Sequence, residues 1–211
     1  MALGTGPAGA EMLKAKFIGN EAFEITDGKV TLLTDFPYRS GAFGYMKYRF
    51  DEIRPTGKVL CLITHRHEDH FDPARFRKTG WTLLGPAGMV RGVDAARILP
   101  IQDLVRFEGL EIRPIRTPHG EELEHYSYWV RWHGLKLFFS GDTEEADVLT
   151  RIGKTADAVF VSPWLLEAWQ AGSEQPGKVI VYHHKADEKV SCLRCIVPKQ
   201  GDVIELGEGT P

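Results

Sequence analysis

Cysteine is scarce in this chain: Cys61, Cys192 and Cys195 are the only three among 211 residues. An odd count without a spaced framework excludes a disulfide-stapled secreted fold and fits a reducing cytoplasm. Long apolar runs are missing too. With no stretch near the ~20 residues that a membrane helix needs, the sequence offers no spanning segment. The opening MALGTGPAGAEM lacks the basic start and apolar centre of a secretory signal. Residues 1–13 read as a loose leader, with Met12 as an alternative start. No basic block stands out in a chain of formal net charge -3, which argues against nucleic acid as a partner. Repeats, low-complexity tracts and linkers are also absent. Residues 14–211 therefore read as one domain.

What is present is ordinary for a soluble globular protein: 43% hydrophobic residues, enough for a substantial core, against 26% charged. KAKFIG, AFEIT and VTLLTDF read as strands, with Asp27-Gly28 as the hairpin turn between the second and third. The glycines of PYRSGAFGYMKYRF mark a loop. KVLCLIT is apolar throughout and reads as a strand buried on both faces. Asp72-Pro73 caps and opens a short helix through Lys78, and GPAGMVRGV reads as another. Further strands are LVRFEG, LEIRPIRT, SYWVRWHG, LKLFFSGDT, DAVFVSP, KVIVYHH and DVIELG. EEADVLTRIG and WLLEAWQAG read as helices. DEKVSCLRCIV joins them by the spacing of Val190, Leu193, Ile196 and Val197, so Cys192 and Cys195 read as helix packing rather than a redox or zinc pair. Strands interleaved with helices predict a layered α/β domain with helices outside.

Polar groups then collect at strand ends. KVLCLIT runs directly into HRHEDH, placing His65, His67, Asp69 and His70 together. His119 follows a strand in TPHG, Asp142 another in SGDT, and His183 and His184 a third in VYHH. One rim of a sandwich would gather all of them. Imidazole and carboxylate suit zinc, manganese or iron. The set is too large for one tetrahedral ion, and suits two ions that share a carboxylate and activate water between them. In an extended segment residues 65 and 67 project to one side, while Asp69 and His70 sit at the bend and can face elsewhere.

THRHEDH, TPHG, SGDT and VYHH, in that order, resemble the signature of the metallo-β-lactamase fold hydrolases, and the likeness runs from about Lys14 onward. FIGNEAFEITDGKVTLLTDFPY resembles the start of the subgroup that includes the ascorbate-phosphate lactonase. Asn20 stands where that subgroup commonly has His, and Asp35-Phe36-Pro37 where it has Asp-Pro. The resemblance implies an αββα sandwich with a dinuclear site on one rim. By it, His65, His67 and His119 hold one metal, and Asp69, His70 and His183 the other. Asp142 bridges them, and Asp69 is the candidate catalytic carboxylate. The cofactors implied are two divalent ions, zinc first, with manganese or iron as alternatives. The reaction implied is attack of a metal-bound hydroxide on an ester, lactone or phosphoester of a small molecule. The alternatives on the same fold are a phosphodiesterase or nuclease and a mono-iron oxidoreductase acting on a sulfur compound. A homo-oligomer is compatible with all of these.

The remaining residues divide by context. Asp35 reads as a carboxylate orienting a ligand imidazole. Asn20, His184 and Lys185 are candidates for the surroundings of the metals or for substrate contact. Successive strand residues point to opposite faces, so only one of the adjacent histidines can face the metals. Aligning Val179 to Val181 with the subgroup that the chain resembles implies His183 as the ligand and His184 in the pocket wall or behind it. His125 and His133 read as surface residues, the latter in a hairpin turn with Gly134. Tyr38, Phe43, Tyr45 and Tyr48 are candidate pocket walls.

Overall fold

The computed structural model describes residues 13–89, 93–94, 97–120, 124–152, 155–169 and 177–207. The expected leader, Met12 included, falls outside these apart from Leu13, which is buried and whose carbonyl accepts from the Leu206 N–H at 2.9 Å.

The strands form two sheets. The first contains β1 (Lys14–Gly19), β2 (Ala22–Thr26), β3 (Val30–Thr34), β4 (Lys58–Leu62), β5 (Thr82–Leu84), β6 (Ile98–Leu99) and β13 (Val203–Glu205), in the order β13-β1-β2-β3-β4-β5-β6. The second contains β7 (Val105–Phe107), β8 (Leu110–Arg116), β9 (Tyr126–Trp132), β10 (Leu135–Phe139), β11 (Ala158–Val161) and β12 (Lys178–Val181), in the order β12-β11-β10-β9-β8-β7. Strand alternation sorts the side chains into layers. Leu60 and Leu62 of β4 point inward, meeting Tyr128, Val130, Leu137 and Phe139 of the other sheet. Val59, Cys61 and Ile63 point outward, into a cluster that includes Phe76 of α1 (Pro73–Phe76). On the other side Phe138, Val159 and Val161 pack with Val148 and Leu149 of α2 (Ala146–Ile152) and Leu165 of α3 (Pro163–Ala168). Helices on both outer faces of two packed sheets make the αββα sandwich. Each fully buried Leu, Val or Phe adds roughly 1.5–3 kcal/mol of transfer free energy.

Parallel pairing joins β3, β4, β5 and β6 in one sheet and β10, β11 and β12 in the other. Their C-terminal ends open on the same rim, where ligands of such sheets bind. Bonds between the sheets hold that rim. Tyr126 N–H donates to Thr64 O at 3.0 Å, Tyr128 Oη–H to Ile63 O at 2.7 Å, and His183 N–H to Asn20 O at 2.7 Å. At the opposite rim the β2–β3 and β9–β10 hairpin turns meet. His133 and Gly134 both have positive φ, 49° and 84°, as a two-residue hairpin requires. His133 Nε2 lies 2.8 Å from Asp27 Oδ2.

Three expectations need correction. The helix over 187–197 does not form. Residues near Ile196 instead pair with β12, Ile196 N–H donating to Val179 O and Val181 N–H to Ile196 O, both at 2.8 Å. Leu193, which a helix would have buried, is 90% exposed. Main-chain pairing with an open strand edge has overridden the side-chain periodicity. Cys192 and Cys195 are joined in a disulfide, not packed on a helix, so cysteine usage no longer points to a compartment. Only the turn Ala87–Met89 of the helix expected over 85–93 is helical among the described residues. The short strands β5 and β6 were not anticipated.

Candidate metal centre

Each strand end delivers its polar residues through a main-chain turn. Beyond β4, Thr64 is held by Asp35, whose Oδ1 accepts its N–H at 2.8 Å. His65 follows. The chain then bends, with the His70 and Phe71 N–H groups donating to His67 O at 3.0 and 2.9 Å. Asp72 stops the bend by capping α1, its Oδ1 accepting from Ala74 N–H and Arg75 N–H. Beyond β10, Gly141 takes φ 61°, and beyond β12, His183 takes φ 55°. Positive φ at His183 supplies the local twist that frees it from strict alternation.

The donor atoms of His65, His67, His119 and Asp142 lie within 4.8 Å of one another, and so do those of Asp69, His70 and His183. Asp142 stands between the groups. Its Oδ2 is 3.7 Å from both His65 Nε2 and His119 Nε2 and 3.4 Å from His70 Nε2. Its Oδ1 is 3.1 Å from His183 Nε2. Asp69 Oδ2 lies 3.5 Å from His70 Nε2 and 3.6 Å from His183 Nε2. His70 Nε2, His119 Nε2, His183 Nε2, Asp69 Oδ1 and Asp142 Oδ1 are buried without a hydrogen bond among the described residues. Buried polar atoms are rarely left so, and a cluster of them facing one another is a donor set for cations. The imidazole and carboxylate mixture fits transition-metal ions.

Electrostatics follow from crowding. Burial pushes His65 down, and neighbouring His70 pushes the same way. Burial would also lower His70, but the carboxylates of Asp142 and Asp35 hold it well above its ordinary value. Burial would raise Asp142, yet His70 and His183 hold it well below the carboxylate range.

Other residues orient the donors. Asp35 Oδ2 lies 3.3 Å from His70 Nδ1, leaving Nε2 to face Asp69 and Asp142. His119 Nδ1 lies 3.1 Å from Asp142 O, a bond that turns its Nε2 toward the cluster. Asn20 Nδ2–H donates to Asp69 O at 2.7 Å. His125, expected at the surface, is fully buried. Its Nε2 accepts the Asp142 N–H at 3.0 Å while Nδ1 lies 2.8 Å from Thr117 Oγ1. Burial pushes it down to about 4, so it stays a neutral acceptor near neutral pH. Tyr182 Oη accepts the Gly141 N–H at 2.7 Å, completing the support of that turn. Glu21, also fully buried, shares the interior with Asp35 and His70. Burial and the charge of Asp142 push its carboxyl well above the usual range. The sequence reading missed Glu21, His125 and Tyr182. The first of two acids inside FIGNEAFEI and a histidine at the start of an apolar strand were the available signals.

The turn has no room for a side chain at position 141. A Cβ there would sit 2.4 Å from His125 Nε2, at a φ that disfavours any L residue. Gly141→Ala is expected to lose about 2–4 kcal/mol of stability. Urea unfolding monitored by circular dichroism measures it, and an unchanged midpoint would disprove the strain.

A cleft of about 410 Å³ opens over the cluster, lined by Phe43, Tyr45, Glu144 and Trp164 besides the donors. Tyr45 and Trp164 meet the His183 ring edge-on from 4.6 and 4.7 Å. Two of the four expected wall aromatics therefore face the cleft. Tyr38 and Tyr48 instead pack the loop, Tyr38 Oη–H donating to Met46 O and Tyr48 Oη–H to Tyr38 O. His184 points away, stacked on Phe17 with centroids 5.5 Å apart. Lys185 is exposed, its Nζ 6.0 Å from the Tyr45 ring.

Comparison with known proteins gives the family of the chain. The model of the beta-lactamase superfamily domain matches residues 14–163. A UPF0173 metal-dependent hydrolase of Symbiobacterium thermophilum is 28% identical over 141 residues, 62% of this chain and 60% of that protein. One of Thermus thermophilus is 24% identical over 159 residues, covering 68% and 67%. The chain thus spans somewhat under two thirds of the first relative's length. Among solved structures, a metallo hydrolase of Ignicoccus hospitalis superposes with TM-score 0.68 at 15% identity, over 92% of this chain and 98% of that one. A metallo-beta-lactamase fold protein of Bacillus subtilis superposes with TM-score 0.67 at 12% identity, over 92% and 99%.

Proposed function

The chain belongs to the beta-lactamase superfamily domain family, and from that premise we propose that it is a metal-dependent hydrolase with two divalent ions. Its substrate is a small molecule with an ester, lactone or phosphoester bond. In this reading His65, His67 and His119 hold the first ion and Asp69, His70 and His183 the second, with Asp142 between them. When bound, such a pair activates water and stabilises the charge that develops on the substrate. The chain's own groups do the rest. Asp35 and the carbonyl of Asp142 accept from Nδ1–H of His70 and His119, leaving Nε2 as the metal-facing nitrogen in each. His125 and Tyr182 hold the main chain of the Asp142 turn. Phe43, Tyr45 and Trp164 give the entrance an aromatic, water-excluding wall. Three imidazoles suit zinc at the first position.

One observation carries the reading: buried donor atoms of Asp69, His70, His119, Asp142 and His183, drawn from both sheets, converge without a hydrogen bond among the described residues. The test is elemental analysis of reconstituted protein, with turnover measured on lactones, phosphodiesters, thioesters and a chromogenic lactam. About two equivalents of metal and metal-restored hydrolysis are expected. A tight single equivalent, with no second site in excess metal, would sink the dinuclear reading.

A further inference from the structure

Glu21 has no part in the ligand set above, yet it lies inside it. It sits at the tip of the β1–β2 hairpin, and its main chain is held from three sides. Thr34 Oγ1–H donates to Glu21 O at 2.7 Å, while neighbouring Asn20 bonds through Nδ2 to Asp69 O and through its carbonyl to His183 N–H. The side chain is fully buried, and neither carboxyl oxygen has a hydrogen bond among the described residues. Burying a carboxyl group without any such bond costs several kcal/mol.

Orienting His70 does not account for it. Glu21 Oε2 is 3.5 Å from His70 Nδ1, but Asp35 Oδ2 is nearer at 3.3 Å and suffices for that one proton. Asp35 is also bonded to Thr64 N–H and lies within reach of its hydroxyl. Glu21 has another neighbourhood: a donor oxygen of Glu21 lies within 4.8 Å of donor atoms of Asp142 and His183. These are the residues that border the second ion. Glu21 is fully buried and does not line the cleft that Tyr45 and Trp164 border, so it meets that position from within the protein.

We propose that Glu21 is a further ligand, giving its carboxylate to the second metal beside Asp69, His70, His183 and Asp142. The inference rests on the dinuclear reading above. It makes the two positions chemically unlike. The first is rich in imidazole nitrogen. The second draws three carboxylates and two imidazoles, an oxygen-rich set that raises affinity for manganese or ferrous iron relative to zinc. Charge supports it: of the four buried acids among the described residues, Asp69 and Asp142 border the place for two dications, Glu21 lies beside Asp142, and Asp35 backs His70.

The test compares the unaltered protein with Glu21→Gln and Glu21→Ala, each freed of metal and titrated with Mn²⁺ and Zn²⁺ against a competing chelator. Circular dichroism of the metal-free variants checks their fold. The second equivalent should bind Mn²⁺ about 100-fold more weakly in both variants and Zn²⁺ less so, with the first equivalent unchanged. A residue that merely fills space would not alter that ratio. Parent affinities for both metals in the variants would overturn the proposal. If the variants fail to fold, a manganese-loaded crystal structure of the unaltered protein decides. A Glu21 oxygen within about 2.0–2.3 Å of the ion supports ligation, and one beyond ~3 Å overturns it. An unaltered protein that takes up one ion only overturns the dinuclear reading, and this inference with it.

Discussion

Asp142→Ala is expected to cut turnover by about 10³-fold or more and to weaken both metal positions together. The Asp142 carboxylate makes short approaches to members of both donor sets, from His65 and His119 on one side to His70 and His183 on the other. On the proposed dinuclear reading its removal takes an anion from between two dications, leaving their repulsion unscreened, and forfeits Lewis-acid assistance worth several kcal/mol. Each 1.36 kcal/mol is tenfold in rate, so the size of the loss follows. The fold should survive, because the turn is held by main-chain bonds to His125 and Tyr182 that alanine retains. Calorimetric metal titration beside steady-state kinetics makes the check. Two ions bound with unchanged affinity would show that Asp142 does not join the two positions.

The second large effect separates adjacent histidines. His183→Ala should lose one metal, with about a 100-fold or greater fall in its affinity, and nearly all turnover. His184→Ala should keep both. His183 Nε2 reaches Asp69 and Asp142, whereas His184 stacks on Phe17 with Nδ1 3.0 Å from Lys185 O. The cost of losing His184 falls on stability, about 1–2 kcal/mol for a ring contact and a hydrogen bond. Metal content and thermal midpoint, measured on both variants, should move in opposite patterns. Loss of a metal from His184→Ala with both retained in His183→Ala would invert the assignment.

The strands that bring residues to the rim were legible because KVLCLIT, LKLFFS and KVIV are apolar runs that end abruptly in polar groups. The convergence of His65, His67, Asp69 and His70 was legible because four donors fall within one turn of chain. His125 was not, since its role is set by an Asp142 amide 17 residues away in sequence and a second fold layer of contacts. Glu21 was hidden for the same reason: nothing local separates a buried acid in a hairpin from a solvated one. β5 and β6 are too short, at three and two residues, for any period to register. The segment 187–197 failed in the opposite sense. Its helical spacing was real in the sequence, but the open edge of β12 was invisible there, and pairing with that edge decided the outcome.

The bonds that join the sheets around the site have a consequence for how much substitution the centre can absorb. Apolar packing holds two sheets together without fixing their slide, so residues drawn from both would drift apart unless something directional locks them. Two of the three locks, Tyr126 N–H to Thr64 O and His183 N–H to Asn20 O, run between main-chain groups. No side-chain exchange at those acceptors removes them, and at the donors only proline does. The framework of the centre is therefore buffered against mutation, while the cleft residues above it, Phe43, Tyr45 and Glu144 outside the strands and Trp164 on α3, make none of these three bonds. Such a molecule can change what it admits without rebuilding what it does.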